Sequence, residues 1–182
     1  YLASYQFESF IKAFPKSQKL EEATFFAAKS HYMMSPTFSL DQEETNTAIE
    51  KLQIFMNNYP KSKFTDECNQ LISELQNKIE KKEFEIAKQY YNIYDYRAAI
   101  KSLDNFVGEF VGSKFREEAL YYKFLSSYEV AINSVESKKL KRLSDLKKLH
   151  NNIVRYYPET LFEEDLTKKI EVIEKEINTF TN

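Results

Sequence analysis

An aromatic pair four residues apart, followed at once by Pro-Lys-Ser, occurs twice in this chain: Phe10, Phe14, Pro15, Lys16, Ser17 and Phe55, Tyr59, Pro60, Lys61, Ser62. Degraded copies stand at Phe106, Phe110, Val111, Gly112, Ser113 and at Ile153, Tyr157, Pro158, Glu159, Thr160. A chain that repeats is confined to architectures in which each copy packs on its neighbours. Counted back from each Pro or its substitute, inward-type residues return at five, eight and twelve positions, giving Ala3/Phe7/Phe10/Pro15, Ala48/Leu52/Phe55/Pro60, Ala99/Leu103/Phe106/Val111 and Leu146/His150/Ile153/Pro158. Spacings of three, four and seven are one stripe of an α-helix. Pro then ends the helix, and Ser17, Ser62, Ser113 and Thr160 are expected to be N-caps of the next. Six residues beyond each hydroxyl, Ala23, Cys68, Ala119 and Leu166 are expected to face inward.

Two Gly and four Pro in 182 residues leave few breakers, and no sustained period-two alternation argues for strands. The expected fold class is all-α: an α-solenoid of about eight helices in one domain over residues 1–182, with repeat ends near 15, 60, 111 and 158. Small Ala twelve residues before a terminating Pro resembles the tetratricopeptide repeat, and Tyr96-Arg97-Ala98-Ala99 after Asp95 resembles that motif's start of a second helix. The origins lie 45, 51 and 47 residues apart instead of about 34, so the first helix of each copy, or the turn after it, is extended. After Ser17 a helix through Met34 is expected to break at Ser35-Pro36-Thr37-Phe38-Ser39, with Asp41 capping the next. From Phe64 to Ile93 one long helix is expected, with Ile72, Leu75, Ile79, Ile86, Tyr90 and Ile93 on its stripe. A helix to Asn133, a basic helix after Ser137 and a last helix from Leu161 to Thr179 complete the array. Because the first residues already lie inside a repeat, the array is expected to be cut at its N-terminal end.

Little here supports chemistry. Cys68 alone makes neither an internal disulfide nor a thiol metal site, and reads as a small buried hydrophobe. His150 falls on the inward stripe and reads as a packed side chain; His31 reads as a helix-terminal residue favoured by the dipole. No metal-spaced His/Glu pair, phosphate loop or nucleophile elbow occurs, so neither a catalytic site nor a cofactor is expected. No segment approaches the ~18 apolar residues of a membrane span. A net charge of -2 gives no argument for nucleic acid. Two features read first as structure, one as rings filling space between repeats and one as a solvated helix face, with partner-binding surfaces as the alternative. The run Tyr90-Tyr91-Asn92-Ile93-Tyr94-Asp95-Tyr96 has more rings than one stripe can bury, and Lys138-Lys139-Leu140-Lys141-Arg142 through Lys147-Lys148 is the one local charge asymmetry.

The passage Ala27 to Pro36, then Leu40-Asp41-Gln42, Ala48-Ile49 and Phe55 to Ser62, resembles the BamD family, also called YfiO or ComL, and most closely its Bacteroidetes members. Phe84 to Tyr91 followed by Tyr96-Arg97-Ala98-Ala99-Ile100 is similar to that family's third-to-fourth repeat passage. The resemblance implies a non-catalytic scaffold of β-barrel assembly at the periplasmic face of the outer membrane. It implies docking on the POTRA domains of BamA, with unfolded outer-membrane proteins and other assembly lipoproteins as further partners, and a lipid anchor outside this segment. The segment lacks the lipidated Cys, and Val111-Gly112 replaces Pro-Lys in the third copy. Tyr94, Arg97, Lys101, Lys141, Arg142, Lys147 and Lys148 are the expected partner contacts. The alternative is a general tetratricopeptide adaptor for C-terminal peptides, for which no repeated Lys-Asn pair is seen at matched positions.

Overall fold

A computed structural model describes residues 1–180 and contains eight α-helices with no strand among the described residues. They are α1 (Leu2–Ala13), α2 (Leu20–Met34), α3 (Glu43–Asn58), α4 (Thr65–Asn92), α5 (Tyr96–Glu109), α6 (Arg116–Ile132), α7 (Glu136–Tyr156) and α8 (Glu163–Thr179). The helical repeat expected from the stripes is present, and α4, with 28 residues, is about 42 Å long. The chain forms two compact units, Tyr1–Lys82 and the residues from Glu83 onward, and α4 contributes to both.

In the first unit α1 packs on α2 and α2 on α3, around Phe25, Ala28, Ala48, Leu52, Phe55, Cys68, Leu71 and Leu75. In the second, α5, α6, α7 and α8 pack in sequence. One core there gathers Phe84, Ala87, Ala99, Leu103, Phe106 and Ala119; the other gathers Phe124, Leu143, Leu146, Ile153, Leu166 and Ile173 among others. The helical members of the second and third sets, Ala48, Leu52, Phe55, Ala99, Leu103 and Phe106, and the positions six beyond the hydroxyls are buried as their spacing required, while Pro60 and Val111 at the turns are exposed. The first set departs from it: Ala3 is exposed and Ser4 takes the buried place, because α1 packs closely on α2 alone. In α4 the inward residues are Cys68, Leu71, Leu75, Phe84 and Ala87, whereas Ile86 is exposed, as is Ile93 just beyond the helix end. A long helix serving two cores shifts its buried face between them, which a single stripe does not anticipate.

All four repeat ends share one backbone geometry. Phe14, Tyr59, Phe110 and Tyr157 have φ between -131 and -107 and ψ between 59 and 74, and each donates its N–H to the carbonyl four residues back. Phe110 adopts it before Val111-Gly112, so Pro reinforces the turn without being required for it. The hydroxyls that follow are not N-caps. Each helix begins three residues later, and Ser17, Ser62, Ser113 and Thr160 instead accept the N–H two residues ahead, bracing the turn itself.

Two of these hydroxyls also fasten one copy to the previous one. Ser62 donates to Glu21 and Thr160 to Glu117, both at 2.6 Å. Two residues on, Phe64 stacks on Phe25 at 4.2 Å between ring centres, and Phe162 on Tyr121 at 3.9 Å. Phe115 repeats the contact on Phe84 at 5.5 Å, beside a 2.7 Å ion pair between Lys88 and Glu118. Such ring pairs contribute about 1 kcal/mol beyond burial. They set the register between successive copies.

The connection from α2 to α3 is fastened in its own way. Gln42, 7% exposed, donates from its amide to the carbonyls of Thr37 and Leu40 at 2.9 Å and accepts the Thr45 hydroxyl at 2.8 Å. Thr45 meets Ser35 Oγ at 2.6 Å, which Lys78 of α4 also reaches at 2.6 Å. Lys82 donates to the Leu40 carbonyl and Lys81 lies over the Phe38 ring. Asp41 stands one place before the cap position and accepts the Glu43 N–H. The Ser-Pro to Leu-Asp-Gln passage is thus a loop held from within by one buried amide.

Candidate partner-binding site

At the corner between α4 and α5 the chain must reverse direction with no glycine available. Tyr94 takes the left-handed conformation instead, φ 64, the one positive φ among the described residues. Asp95 donates its N–H to the Tyr90 carbonyl at 2.9 Å and Tyr94 to that of Tyr91 at 3.0 Å, the bond pattern of a Schellman cap. Asp95 Oδ1 then accepts the Ala98 N–H at 3.1 Å and starts α5. A tyrosine in this region costs about 1 kcal/mol or more. Its ring does little packing in return, being 76% exposed with one edge-on contact to Tyr96.

Tyr94, Asp95, Tyr96 and Arg97 line a cleft of about 390 Å³ with Glu129, Val130 and Asn133 of the α6 end and Arg142 of α7. A second cleft of about 320 Å³ shares Val130 and Arg142 and adds Ile100, Lys123, Ser127, Asp145, Leu146 and Leu149. Together they make a groove between α5 and α7 over α6. Arg142 is anchored there by donating to Ser134 Oγ, which in turn donates to the Val130 carbonyl. Lys123 pairs with Asp104. Burial and the neighbouring Tyr96 and Glu129 push the Tyr91 hydroxyl up, so at the inner side of the corner it stays a neutral donor. The groove offers rings, two guanidinium groups, an amide and carboxylates above an apolar floor. That inventory is suited to contact with an extended polar segment.

Of the residues singled out in the sequence, Tyr94, Arg97 and Arg142 come together here. Lys101 lies one turn along α5 from Arg97, exposed, outside the cleft lining. Lys141 is exposed on α7. Lys147 pairs with Glu174 of α8 at 2.6 Å and Lys148 with Asp145 at 3.3 Å, so the basic segment does not act as one face. Lys147 holds the Glu174 carboxyl below its ordinary range. Glu129, Asn133 and Lys123 carried no local sequence signal, because only the packing of α6 between α5 and α7 gives them a role.

His150 was expected to pack and His31 to stand at a helix end, and the last turn of α2 holds His31. His150 lies half-buried beside Phe124, ring centres 6.0 Å apart, and His31 ends α2 against Glu8. Among the described residues no cluster of three His, Cys, Asp or Glu is arranged to hold a metal, and no helix is long and apolar enough to cross a membrane. Comparison with known families gives a match to the profile of the YfiO family, described as outer membrane lipoprotein, over residues 1–93 and 80–179. Among curated proteins, the outer membrane protein assembly factor BamD of Helicobacter pylori is 35% identical over 63 residues. That stretch is 35% of this chain and 29% of the relative, so the likeness spans under a third of the relative's length.

Proposed function

The chain belongs to the YfiO family of outer membrane lipoproteins, and from that premise we propose that it is a non-catalytic scaffold of outer-membrane β-barrel assembly. The observation that carries this reading is the family match along both units, together with the assembly-factor name of the Helicobacter relative. The scaffold works at the periplasmic face of the membrane, held by a lipid anchor outside this segment. It docks on the POTRA domains of a BamA-type partner and assists outer-membrane protein insertion, with unfolded barrel proteins and other assembly lipoproteins as further partners.

Docking is assigned to the α4–α5 corner and the groove beside it. Support comes from Tyr94, held at a conformational cost with its ring in solvent, and from Arg97 and Arg142 on the two walls. Rigid aromatic and Arg side chains are the residue types that dominate interface energetics. Lys101 and Lys141 extend the surface as steering charges, while Lys147 and Lys148 contribute only through their paired, outward ends. Depleting the protein from its own cells should lower the folded fraction of outer-membrane barrel proteins while periplasmic proteins stay constant. Unchanged barrel levels after full depletion would remove the assembly role.

A further inference from the structure

Three half-buried lysines of the second unit carry a carboxylate of their own, Lys88 with Glu118, Lys123 with Asp104 and Lys139 with Glu176. Arg142 does not. It is half-buried and lines both clefts of the groove, yet among the described residues no carboxylate lies within ion-pair reach of it, although Glu129 and Asp145 line the same clefts. Asp145 is taken by Lys148 at 3.3 Å. The one partner of Arg142 is neutral, the hydroxyl of Ser134 just past the end of α6.

Ser134 gives its own proton to the Val130 carbonyl, so its lone pairs are what face the guanidinium. The anchor also lies at the carbonyl end of α6, where a positive charge is favoured. Nη1 makes the bond, and the other guanidinium N–H groups have no protein acceptor among the described residues. A guanidinium held by one edge and lacking a counter-charge needs little further ordering to take a carboxylate in its planar fork. Val130 and Arg142 are the two residues common to both clefts, so this anchor sits at their seam. We infer that Ser134 is a positioning residue, which fixes Arg142 at the seam as the point where the groove takes a carboxylate side chain of the docked POTRA region. The inference rests on the docking reading given above. Ile100 and Leu149 on one side of the seam, and the rings of Tyr94 and Tyr96 on the other, suit a segment whose acidic residue lies between apolar ones.

The test is a double-mutant cycle, read by calorimetry of the whole chain with the POTRA region of a BamA-type protein from its own organism. Ser134→Ala should weaken binding about fivefold, the effect of releasing one rotamer-rich side chain that was held ready. Ser134→Thr keeps the hydroxyl and should stay within about twofold of the native affinity. Placed on Arg142→Gln, Ser134→Ala should change nothing further, a result that a merely structural serine would not give. The native affinity should also fall with salt more steeply than that of Arg142→Gln, as a charge pair requires. Ser134 lies outside the helices, and urea midpoints check that each variant keeps its fold. The salt comparison needs no change at Ser134 and tests the carboxylate independently. Native affinity in Ser134→Ala, no rescue by Ser134→Thr, an equal loss on the Arg142→Gln background or equal salt slopes overturns the inference while docking stands. Failure of the native chain to bind removes the docking reading and the inference with it.

Discussion

Replacing Gln42 by Leu keeps the volume of a 7% exposed side chain and deletes the amide that organises the loop from Ser35 to Gln42. The amide has two N–H groups placed among three carbonyls, those of Thr37 and Leu40 at 2.9 Å and Asp41 at 3.3 Å. Its oxygen accepts Thr45 at 2.8 Å. Thr37 keeps the Leu40 N–H, Leu40 keeps Lys82 Nζ and Thr45 keeps Ser35, so the Asp41 carbonyl is the acceptor left worst off. Losing about three neutral hydrogen bonds at about 1 kcal/mol each, with some recovery from a well-packed Leu, gives a destabilisation of about 2 kcal/mol. Urea unfolding followed by far-ultraviolet circular dichroism measures it, and hydrogen exchange across residues 37–47 shows whether the loss is local. A cost below about 0.5 kcal/mol, or loop protection unchanged, would mean that the amide does not organise the loop and that the reasoning is wrong.

Tyr94→Gly relieves the left-handed strain at φ 64 and should stabilise the chain by about 0.5–1 kcal/mol while weakening partner binding roughly tenfold; stability and affinity falling together would contradict a ring kept for contact. Thr160→Val keeps the shape of a side chain 7% exposed but deletes the 2.6 Å bond to Glu117, which retains only the longer one from the Leu161 N–H, and removes the acceptor of the Phe162 N–H; it should cost about 1–2 kcal/mol in thermal or urea unfolding, with α8 losing protection first. Burial pushes the Cys68 thiol up from 9.0 to about 11. A folded pKa above the unfolded one means the native chain holds the proton longer, so stability is intact below about pH 8.5 and falls by roughly 2 kcal/mol toward pH 11. Cys68→Ala should remove that part of the alkaline slope, measured as the urea midpoint against pH; an identical slope would exclude the thiol as its source.

The helices were legible because their cause is local. Stripes such as Ala48/Leu52/Phe55 and Ala99/Leu103/Phe106 bury as their spacing demands, and Asp95 caps α5 through its own backbone neighbourhood. The role of the repeated hydroxyls was not legible. A Ser after Pro-Lys fits an N-cap by composition, but its second partner, Glu21 for Ser62, lies 41 residues earlier and is found only when copies are packed. The aromatic two residues after the hydroxyl, at Phe64, Phe115 and Phe162, was a visible repeat whose meaning also needed the preceding helix. In the groove the sequence pointed to Tyr94, Arg97 and Arg142, yet their meeting depends on α6 lying between α5 and α7. In the basic stretch of α7 it was the ion pairing that was not legible. Glu174 and Glu176, which pair with Lys147 and Lys139, belong to the next helix.

The docking proposed above requires that this chain bind the POTRA region of a BamA-type protein from its own organism. Isothermal calorimetry of the purified partners at moderate salt should give a dissociation constant in the micromolar range or tighter. Arg97→Glu with Arg142→Glu should weaken it about tenfold or more without changing helicity. No heat of binding at several hundred micromolar, or an affinity untouched by the double reversal, would contradict the docking claim or the groove assigned to it, respectively.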